Sequence, residues 1–426
     1  MREDLLHFIW KYQKFPTVKL KTVNDDSVTI ETVGTHNNLA GPDFFNARLK
    51  IGNQLWAGNV EIHINSSDWY AHKHEKDENY DNVILHVVWE DDIMVFRPDG
   101  SVIPTLELKN YIDKSLLETY SKLFKEKKDT FINCGKDIKL VSTFLWENWI
   151  ERLYFERLEQ KSEIILGLLK ASQNDWEKVL FILLLKNFGS KINGDTFFHL
   201  GNNLDFSLIR KLSGNPLKME SLLLGQAKLL ESDEIVDSHF LLLKEEYAFL
   251  KHKHCLEESA VGPPSFFKLR PPNFPTIRLS QISALYAANS RMFHQLIESE
   301  SIDYKEIFDI EINSYWDDHY TFGKLSKKRP KSISKKFLDL LIINTILPLK
   351  FCYLKYKGLP IDESFFETIK VIDSEKNSII QNYEDFGILV KSAKESQALL
   401  QLYSNYCTKN KCLQCAVGSE LLNLKP

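Results

Sequence analysis

The chain has 426 residues, of which 43% are hydrophobic and 26% are charged, so it is an ordinary globular sequence long enough for two or three domains. Glycine and proline are sparse, at 17 and 14 residues, which excludes collagen-like and low-complexity chains and favours long helices. The formal net charge of −4 excludes a uniformly basic protein, so any binding of nucleic acid must use a local patch.

The sequence also bears on the compartment. The first 15 residues form an amphipathic stretch that charged side chains interrupt. They lack the apolar run and the small-residue cleavage site of a signal peptide. The longest apolar runs, such as 179–185 and 340–343, are much shorter than the roughly 18 residues that a membrane span needs. Six cysteines in a chain of this length do not indicate a disulfide scaffold. We therefore expect a cytoplasmic protein with reduced thiols and no membrane contact.

The first 110 residues have the pattern of a mixed α/β domain. Apolar residues at helical spacing predict a helix over 3–15. Gly52-Asn53 lies between two strand-like runs, as in a hairpin, and Ser66 to Asp68 offer N-caps for a helix that reaches Tyr80. The run VILHVVW at 83–89 is apolar without alternation, which is typical of a central strand buried on both faces. The predicted strands are 28–33, 43–51, 55–64, 83–89, 93–96 and 102–108.

From residue 111 onward the sequence is mostly helical. Five of the 14 prolines lie within 263–275, which marks a junction or a rigid extended segment. We therefore predict an α+β chain in which a mixed α/β domain at 1–110 precedes a helical domain at 111–260 and a helical C-terminal region at 261–426. The predicted helices are 142–169, 176–187, 220–232, 238–252, 279–298, 334–356 and 396–406.

Histidines are concentrated in one segment of the first domain. Five of the chain's 12 histidines lie between His36 and His86. Within the strand that ends at residue 64, Glu61 and His63 share one face, because side chains alternate along a strand. Pro42-Asp43 opens the preceding strand. The sequence therefore places an aspartate, a glutamate and a histidine near one hairpin.

These residues resemble the motif of the PD-(D/E)XK nuclease superfamily, with Pro42-Asp43 as its first element and Glu61-Ile62-His63 as its second. The resemblance covers about the first 100 residues. It implies a Mg²⁺ or Mn²⁺ ion held by Asp43, Glu61 and the Ile62 carbonyl, with His63 orienting or deprotonating water. An acidic residue on the opening helix, Glu3 or Asp4, corresponds to the extra carboxylate that some members carry. His86 lies inside an apolar strand, where a buried core histidine is the commoner explanation. The alternative is an accessory role, with His86 approaching the site from the adjacent strand.

Two features of the motif leave its chemistry open. His63 stands where the superfamily usually has lysine, and a neutral imidazole lacks the fixed positive charge of that lysine. The register of the hairpin also matters. A two-residue loop at Gly52-Asn53 pairs Asp43 with Ile62 and separates Asp43 from Glu61, whereas a three-residue loop or a bulge puts Asp43 and Glu61 on one face.

The expected function is metal-dependent hydrolysis of nucleic acid, of DNA in preference to RNA. The alternative is a catalytically inactive nuclease-fold module that binds nucleic acid or a protein partner. The whole chain also resembles a bacterial domain-of-unknown-function family, DUF2851, which implies no activity. The segments that carry this second resemblance are 41–45, 58–69, 72–86, 270–281 and 407–418.

The C-terminal cysteines form a second candidate site. Cys407, Cys412 and Cys415 place three thiols within nine residues, a spacing that suits zinc or an iron–sulfur cluster. A fourth ligand must then come from Cys134, Cys352, Cys255 or a histidine. The alternative is a plain buried helix, because cysteine is often buried without a ligand.

Two weaker patterns complete the set. The stretch 324–336 is basic without an acidic residue, and its candidate phosphate contacts are Lys327, Lys328, Arg329 and Lys331. A solvated loop of like charges is the commoner explanation. His72-Lys73-His74 with Asp77 misses the familiar zinc-hydrolase spacing by one residue, so a solvated polar face is favoured there.

Overall fold

The protein is described here by a computed structural model that covers residues 2–37, 39–125, 130–257, 262–299 and 302–424. It is an α+β chain, which confirms the predicted class. Two compact units share the chain. Unit 1 comprises residues 1–150, 377–389 and 400–426, and unit 2 comprises 151–376 and 390–399. Three consecutive regions were expected. The difference arises because two C-terminal segments belong to the unit that holds the sheet.

Most helices begin where the sequence offers a cap. Asp175, Asn215 and Asp237 accept backbone N–H bonds at the starts of α5, α8 and α9, respectively. The helices are α1 Glu3–Lys11, α2 Asp68–Ala71, α3 Lys114–Lys125, α4 Thr143–Ala171, α5 Trp176–Phe188, α6 Ser190–Asn203, α7 Phe206–Leu212, α8 Pro216–Gln226, α9 Ser238–Lys253, α10 Pro275–Ala288, α11 Tyr304–Ile307, α12 Lys335–Leu341, α13 Leu347–Lys357, α14 Glu363–Lys370, α15 Ser378–Asp385, α16 Ala393–Leu402 and α17 Ala416–Asn423.

Unit 1 is built on a seven-stranded mixed sheet in the order β1-β2-β4-β5-β6-β7, with β3 beside β4. The strands from β1 to β5 pair antiparallel, whereas β5, β6 and β7 run parallel to one another. A separate hairpin, β8 with β9, lies in unit 2. The strands are β1 Leu20–Lys21, β2 Ser27–Thr32, β3 Thr35–His36, β4 Phe44–Ile51, β5 Gln54–Asn65, β6 Val83–Glu90, β7 Thr105–Glu107, β8 His319–Thr321 and β9 Lys324–Leu325.

The hairpin of β4 and β5 contains a bulge that changes its register. Ile51 pairs with Gln54 across a two-residue turn, and this register continues to Ala47 opposite Gly58. It then shifts, so that Phe44 pairs with Val60. Between them, Asn46 adopts a left-handed backbone with φ 58°. The extra residue at this bulge shifts the strand pairing by one position. This shift puts Asp43 and Glu61 on one face, as the site requires.

The core of unit 1 lies between the sheet and α1. Val60 and Ile62, on one face of β5, pack with Leu5 and Ile9 of the helix, and all four are fully buried. Each such side chain contributes about 1.5–3 kcal/mol relative to the exposed state. Because strand side chains alternate, Glu61 and His63 point away from this core.

Three predicted elements of unit 1 are much shorter in the structure. The helix expected over 67–80 is only α2, followed by 3₁₀ turns at His74–Lys76 and Glu78–Tyr80, because Lys73 adopts a left-handed backbone with φ 64°. The strands expected over 93–96 and 102–108 reduce to one bridge between Phe96 and Val102 and to the short β7.

Unit 2 is helical apart from β8 and β9. The helical segment Lys335–Lys357 is long and apolar enough to cross a membrane, judged by length and composition alone. The sequence analysis did not predict such a segment, because the uninterrupted apolar runs are much shorter. A π-helical turn at Ile342–Ile346 joins its two parts. The apolar window of this segment is 67% buried within the protein, as in the core helix of a globular unit.

The bulge yields the first prediction. Replacing Asn46 by glycine keeps the left-handed backbone accessible, so we expect an unchanged free energy of unfolding. Asn46→Val should lower it by about 1–2 kcal/mol, because a β-branched residue is strained in that region. Lys50→Val, at an exposed position of the same strand, is the matched control. Urea unfolding measures the three variants, and equal stability of Asn46→Val and Lys50→Val would contradict the role of the bulge.

Candidate metal centre

The centre is built on the face of β5 that points away from the core. Glu61 is 4% exposed and His63 is 1% exposed. In the parallel pairing with β6, Glu61 lies beside His86, which is fully buried. Three polar side chains thus share a buried face at the middle of the sheet, where unpaired polar groups are costly.

Asp43 joins this face through reciprocal hydrogen bonds with β5. The backbone N–H of Asp43 donates to Glu61 Oε2 at 3.1 Å, and the backbone N–H of Ile62 donates to Asp43 Oδ2 at 3.0 Å. The two carboxylates are therefore brought together by the bulge and not by a three-residue loop. Of the predicted ligands, Asp43 and Glu61 lie side by side, and Ile62 contributes its N–H to the same arrangement.

Four histidines surround Glu61 and complete the cluster. His63 Nδ1 lies 2.8 Å from His86 Nε2, and His63 Nε2 lies 3.1 Å from His72 Nδ1. His74 Nε2 lies 3.3 Å from Glu61 Oε1, and His63 Nε2 lies 3.5 Å from the same oxygen. Among the described residues, His63, His72 and His74 each offer a nitrogen within 4.8 Å of the others.

The segment after β5 positions His72 and His74. Asp92 accepts hydrogen bonds from the hydroxyls of Ser66 and Ser67 at 2.9 Å and 2.7 Å, which fixes the start of this segment. The left-handed backbone of Lys73 then reverses the chain between the two histidines. This turn explains why a sequence pattern judged as a solvated helix face instead brings two imidazoles to the centre, where they are candidate ligands.

Aromatic side chains enclose the histidines. His74 stacks on Tyr80 with ring centroids 3.8 Å apart, and Trp69 meets His74 and His86 edge-on or tilted at 5.3 Å and 5.5 Å. Burial raises the pKa of Tyr80 to about 12. His72 remains exposed, so the cluster opens to solvent on its side.

Helix α1 adds a residue that the sequence analysis missed. His7 Nε2 lies 3.2 Å from Asp43 Oδ2. Glu3, one turn earlier and the predicted accessory carboxylate, is close enough to His7, Asp43 and His72 for their charges to affect its pKa, which burial raises. The spacing of Glu3 and His7, four residues apart on one helix face, is the pattern that could have identified His7.

The electrostatics of the cluster favour uncharged forms. Burial and the neighbouring Asp43 raise the pKa of Glu61 to about 9. Burial and the surrounding imidazoles lower the pKa of His63 to about 2, and burial lowers that of His86 to about 3. Without a cation, Glu61 is thus protonated at neutral pH and the two histidines are neutral, each with a lone pair to offer.

The donor set fits a metal ion. His7 Nε2 and His74 Nε2 are buried, and neither is correctly angled for a hydrogen bond although each faces a carboxylate oxygen. Imidazole nitrogens and carboxylate oxygens together suit Mn²⁺ and Zn²⁺. The arrangement has an oxygen-rich part at Asp43 and Glu61. Its nitrogen-rich part is formed by His63, His72 and His74. Glu61 contributes one oxygen to each.

The basic stretch belongs to unit 2 and differs in part from the expectation. Lys327, Lys328 and Arg329 are exposed, as phosphate contacts require. Lys331 is buried, and its ammonium donates to the carbonyls of Asp317 and Arg329 at 2.9 Å and 2.7 Å. The prediction of a phosphate contact was therefore wrong for Lys331, because its charge is already satisfied inside the protein.

Comparison with known proteins gives one match. The profile of a family described as a protein of unknown function, DUF2851, matches residues 3–378. The match includes the whole histidine cluster and ends before Cys407–Gly418, which the sequence analysis had counted within the resemblance. No curated protein and no solved structure matches the chain.

The cluster yields the second prediction. Because the pKa of Glu61 is raised, this carboxyl keeps a proton in the metal-free folded protein that the unfolded chain loses between pH 4.5 and about 9. Below about pH 6.5, His63 and His86 act in the opposite direction, since each is neutral in the folded protein and protonated in the unfolded chain. Stability should therefore fall as pH rises from about 6.5 to 9, and Glu61→Gln should weaken this dependence. Mn²⁺ at about 100 times its Kd should stabilise the wild type by about 2.7 kcal/mol and the variant much less.

Thermal unfolding at several pH values, with and without Mn²⁺, measures both effects. Glu90→Gln is the matched control, because Glu90 is an exposed carboxylate near the end of β6 that pairs with Lys109 at 2.9 Å. A Glu61→Gln variant stabilised by Mn²⁺ as strongly as the wild type would contradict the placement of the ion.

Proposed function

The chain belongs to the DUF2851 family, and on the geometry of its metal centre we propose that it is a metal-dependent nuclease that hydrolyses phosphodiester bonds, in DNA in preference to RNA. The observation that carries the proposal is the pair Asp43 and Glu61, held on one buried face by reciprocal hydrogen bonds. None of the six cysteines, all within the described residues, is in a disulfide. We accordingly place the activity in the cytoplasm.

The order of elements supports the proposal. Helix α1 precedes the antiparallel strands β2, β4 and β5, and α2 then leads to β6, which runs parallel to β5. The PD-(D/E)XK resemblance implies this order, with the first acid at the start of one hairpin strand and the second acid within the next. Asp43 and Glu61 occupy these two places.

The donor set suggests how the ions would be held. Asp43 and Glu61 Oε2 would hold one ion, and Glu61 Oε1 with His63, His72 and His74 would hold a second. When bound, such ions polarise the scissile phosphoryl group and lower the pKa of a bound water. The mixture of nitrogen and oxygen donors favours Mn²⁺ over Mg²⁺, because Mg²⁺ prefers oxygen ligands.

We propose a different role for His63 from the one the motif implies. Both of its ring nitrogens face other imidazoles, and its lowered pKa makes it a poor proton acceptor. We assign it as a ligand. His7 is the better acceptor: although burial lowers its pKa, Asp43 and Glu3 outweigh this and raise the pKa overall.

One observation favours the alternative, a module that binds nucleic acid or a protein partner without cleaving it. Among the described residues, the ion-pair partners of Asp43 and Glu61 are all histidines. Imidazole rings thus stand where nucleases of the PD-(D/E)XK superfamily have the fixed positive charge of lysine. The experiment therefore has to separate binding from cleavage.

The third prediction is that purified protein cleaves DNA in the presence of Mn²⁺. Single-stranded DNA, double-stranded DNA and RNA are incubated with Mn²⁺, Mg²⁺ or Zn²⁺, and cleavage is followed on gels. Asp43→Asn and Glu61→Gln should reduce the rate to background, because each removes a ligand. His7→Gln should retain Mn²⁺ binding and lose about 10²–10⁴-fold in rate, as expected for a proton acceptor.

Asp81→Asn is the control for Asp43→Asn, since Asp81 is an exposed aspartate before β6. Cleavage that survives in Asp43→Asn would mean a contaminating nuclease or a different site. If the wild type binds Mn²⁺ and DNA but cleaves neither DNA nor RNA with any of the three ions, the non-catalytic module replaces the nuclease.

A further inference from the structure

Four cysteines of unit 1 come from two segments of the chain, one after α3 and one near the C-terminus. Cys134 follows α3, Cys407 ends a π-helical turn, Cys412 begins a 3₁₀ turn and Cys415 precedes α17. Asn133 Nδ2 donates to Cys412 Sγ at 3.4 Å, which places the neighbour of Cys134 against the C-terminal segment. The hydroxyl of Tyr383 lies 3.5 Å from Cys407 Sγ.

The surroundings of these thiols are closely packed. Cys134 and Cys412 pack against the core formed by α1 and the sheet, together with Leu413 and Leu422. A side chain at Gly418 would meet the carbonyl oxygen of Cys412 at 2.1 Å, so only glycine allows the start of α17 to approach the turn that holds Cys412.

The four thiols are close enough to affect one another's pKa values. Burial raises the pKa of Cys134, and the thiolates of Cys407, Cys415 and Cys412 raise it further. Burial raises the pKa of Cys407 to about 12 and that of Cys415 to about 11. The backbone N–H groups of Gly418 and Val417 act in the opposite direction on Cys415.

We propose that Cys134, Cys407, Cys412 and Cys415 hold an iron–sulfur cluster that ties the C-terminal segment to the sheet of unit 1. This inference is independent of the proposed nuclease activity. Three of the four ligands also lie beyond the part of the chain that matches the family. The cluster here is structural, and no electron transfer is assigned to it.

The spacing of the sulfurs favours an iron–sulfur cluster over a single zinc ion. Four thiolates about 2.3 Å from one zinc ion lie about 3.8 Å from each other. Among the described residues, His63, His72 and His74 are the one group of three ligating side chains whose donor atoms all lie within 4.8 Å of one another. No three of the four sulfurs are therefore that close together. A cluster of several iron ions, bound by four cysteines, spans a wider set of sulfurs.

The structure also selects Cys134 from the candidates for the fourth ligand. Cys352 lies in unit 2 and donates to the carbonyl of Ser162 at 3.8 Å. Cys255 is exposed in unit 2, and its sulfur lies 3.9 Å from the carbonyl of His252. Cys134, in contrast, belongs to the same unit as the other three and is coupled to each of them. Its position closes a loop of more than 270 residues between ligands.

The test is the metal content of the full chain, purified without oxygen from iron-replete cells. We expect iron and acid-labile sulfide in about equal amounts, with roughly two to four of each per chain, and absorbance near 400 nm. Electron paramagnetic resonance after reduction with dithionite identifies the cluster type. Cys134→Ser and Cys412→Ser should retain less than about a tenth of the iron, whereas Cys352→Ser and Cys255→Ser should retain all of it.

Variants that lose a cluster ligand often lose stability, so the wild-type measurement decides the question independently of the variants. About one zinc per chain without iron would overturn the iron–sulfur assignment in favour of a zinc site. Protein that contains neither metal after anaerobic purification and after reconstitution with iron and sulfide would overturn the site altogether. Neither result bears on the cleavage assay, which depends on Asp43 and Glu61.

Discussion

Two carboxylates held against each other in a buried cleft impose the main constraint on this protein. Two full negative charges about 4 Å apart repel by about 4 kcal/mol at the effective dielectric of a protein site. Asp43 and Glu61 therefore need a proton or a cation between them, and backbone N–H groups from each other's strands keep them in place. The neutral histidines around Glu61 favour a cation there, because their nitrogens offer lone pairs and carry no competing positive charge.

Unit 1 also contains a second group of reactive side chains, the cysteine thiols. The thiols lie where the segment after α3 meets the C-terminal turns, on the core that α1 and the sheet share. Unit 1 thus combines a nitrogen- and oxygen-rich centre with a sulfur-rich one. If both centres hold metals as proposed, their ligand chemistry would let each select its own, since thiolates favour iron–sulfur clusters or zinc and carboxylates favour harder ions.

Much of the fold was predictable from sequence, and the site only in part. The α+β class, α1 and the strands β2, β4, β5 and β6 follow from apolar periodicity, which depends on burial alone. The motif also identified Asp43 and Glu61. The contributions of His72 and His74 were not predictable, because they depend on a left-handed residue at Lys73, which no local pattern encodes. The spacing of His7 from Glu3 was a usable signal, but its approach to Asp43 depends on the docking of α1. Lys331 was misjudged because its burial depends on tertiary contacts.

The bulge at Asn46 also determines where the hairpin tolerates changes in length. The turn Gly52-Asn53 lies beyond the bulge, so residues inserted there lengthen a surface loop and leave the pairing of Phe44 with Val60 intact. A single residue deleted between Phe44 and Ala47 would remove the bulge and turn Asp43 to the opposite face of the sheet. The hairpin therefore has one permissive end and one end at which the parity of the residue count decides whether the two acids meet.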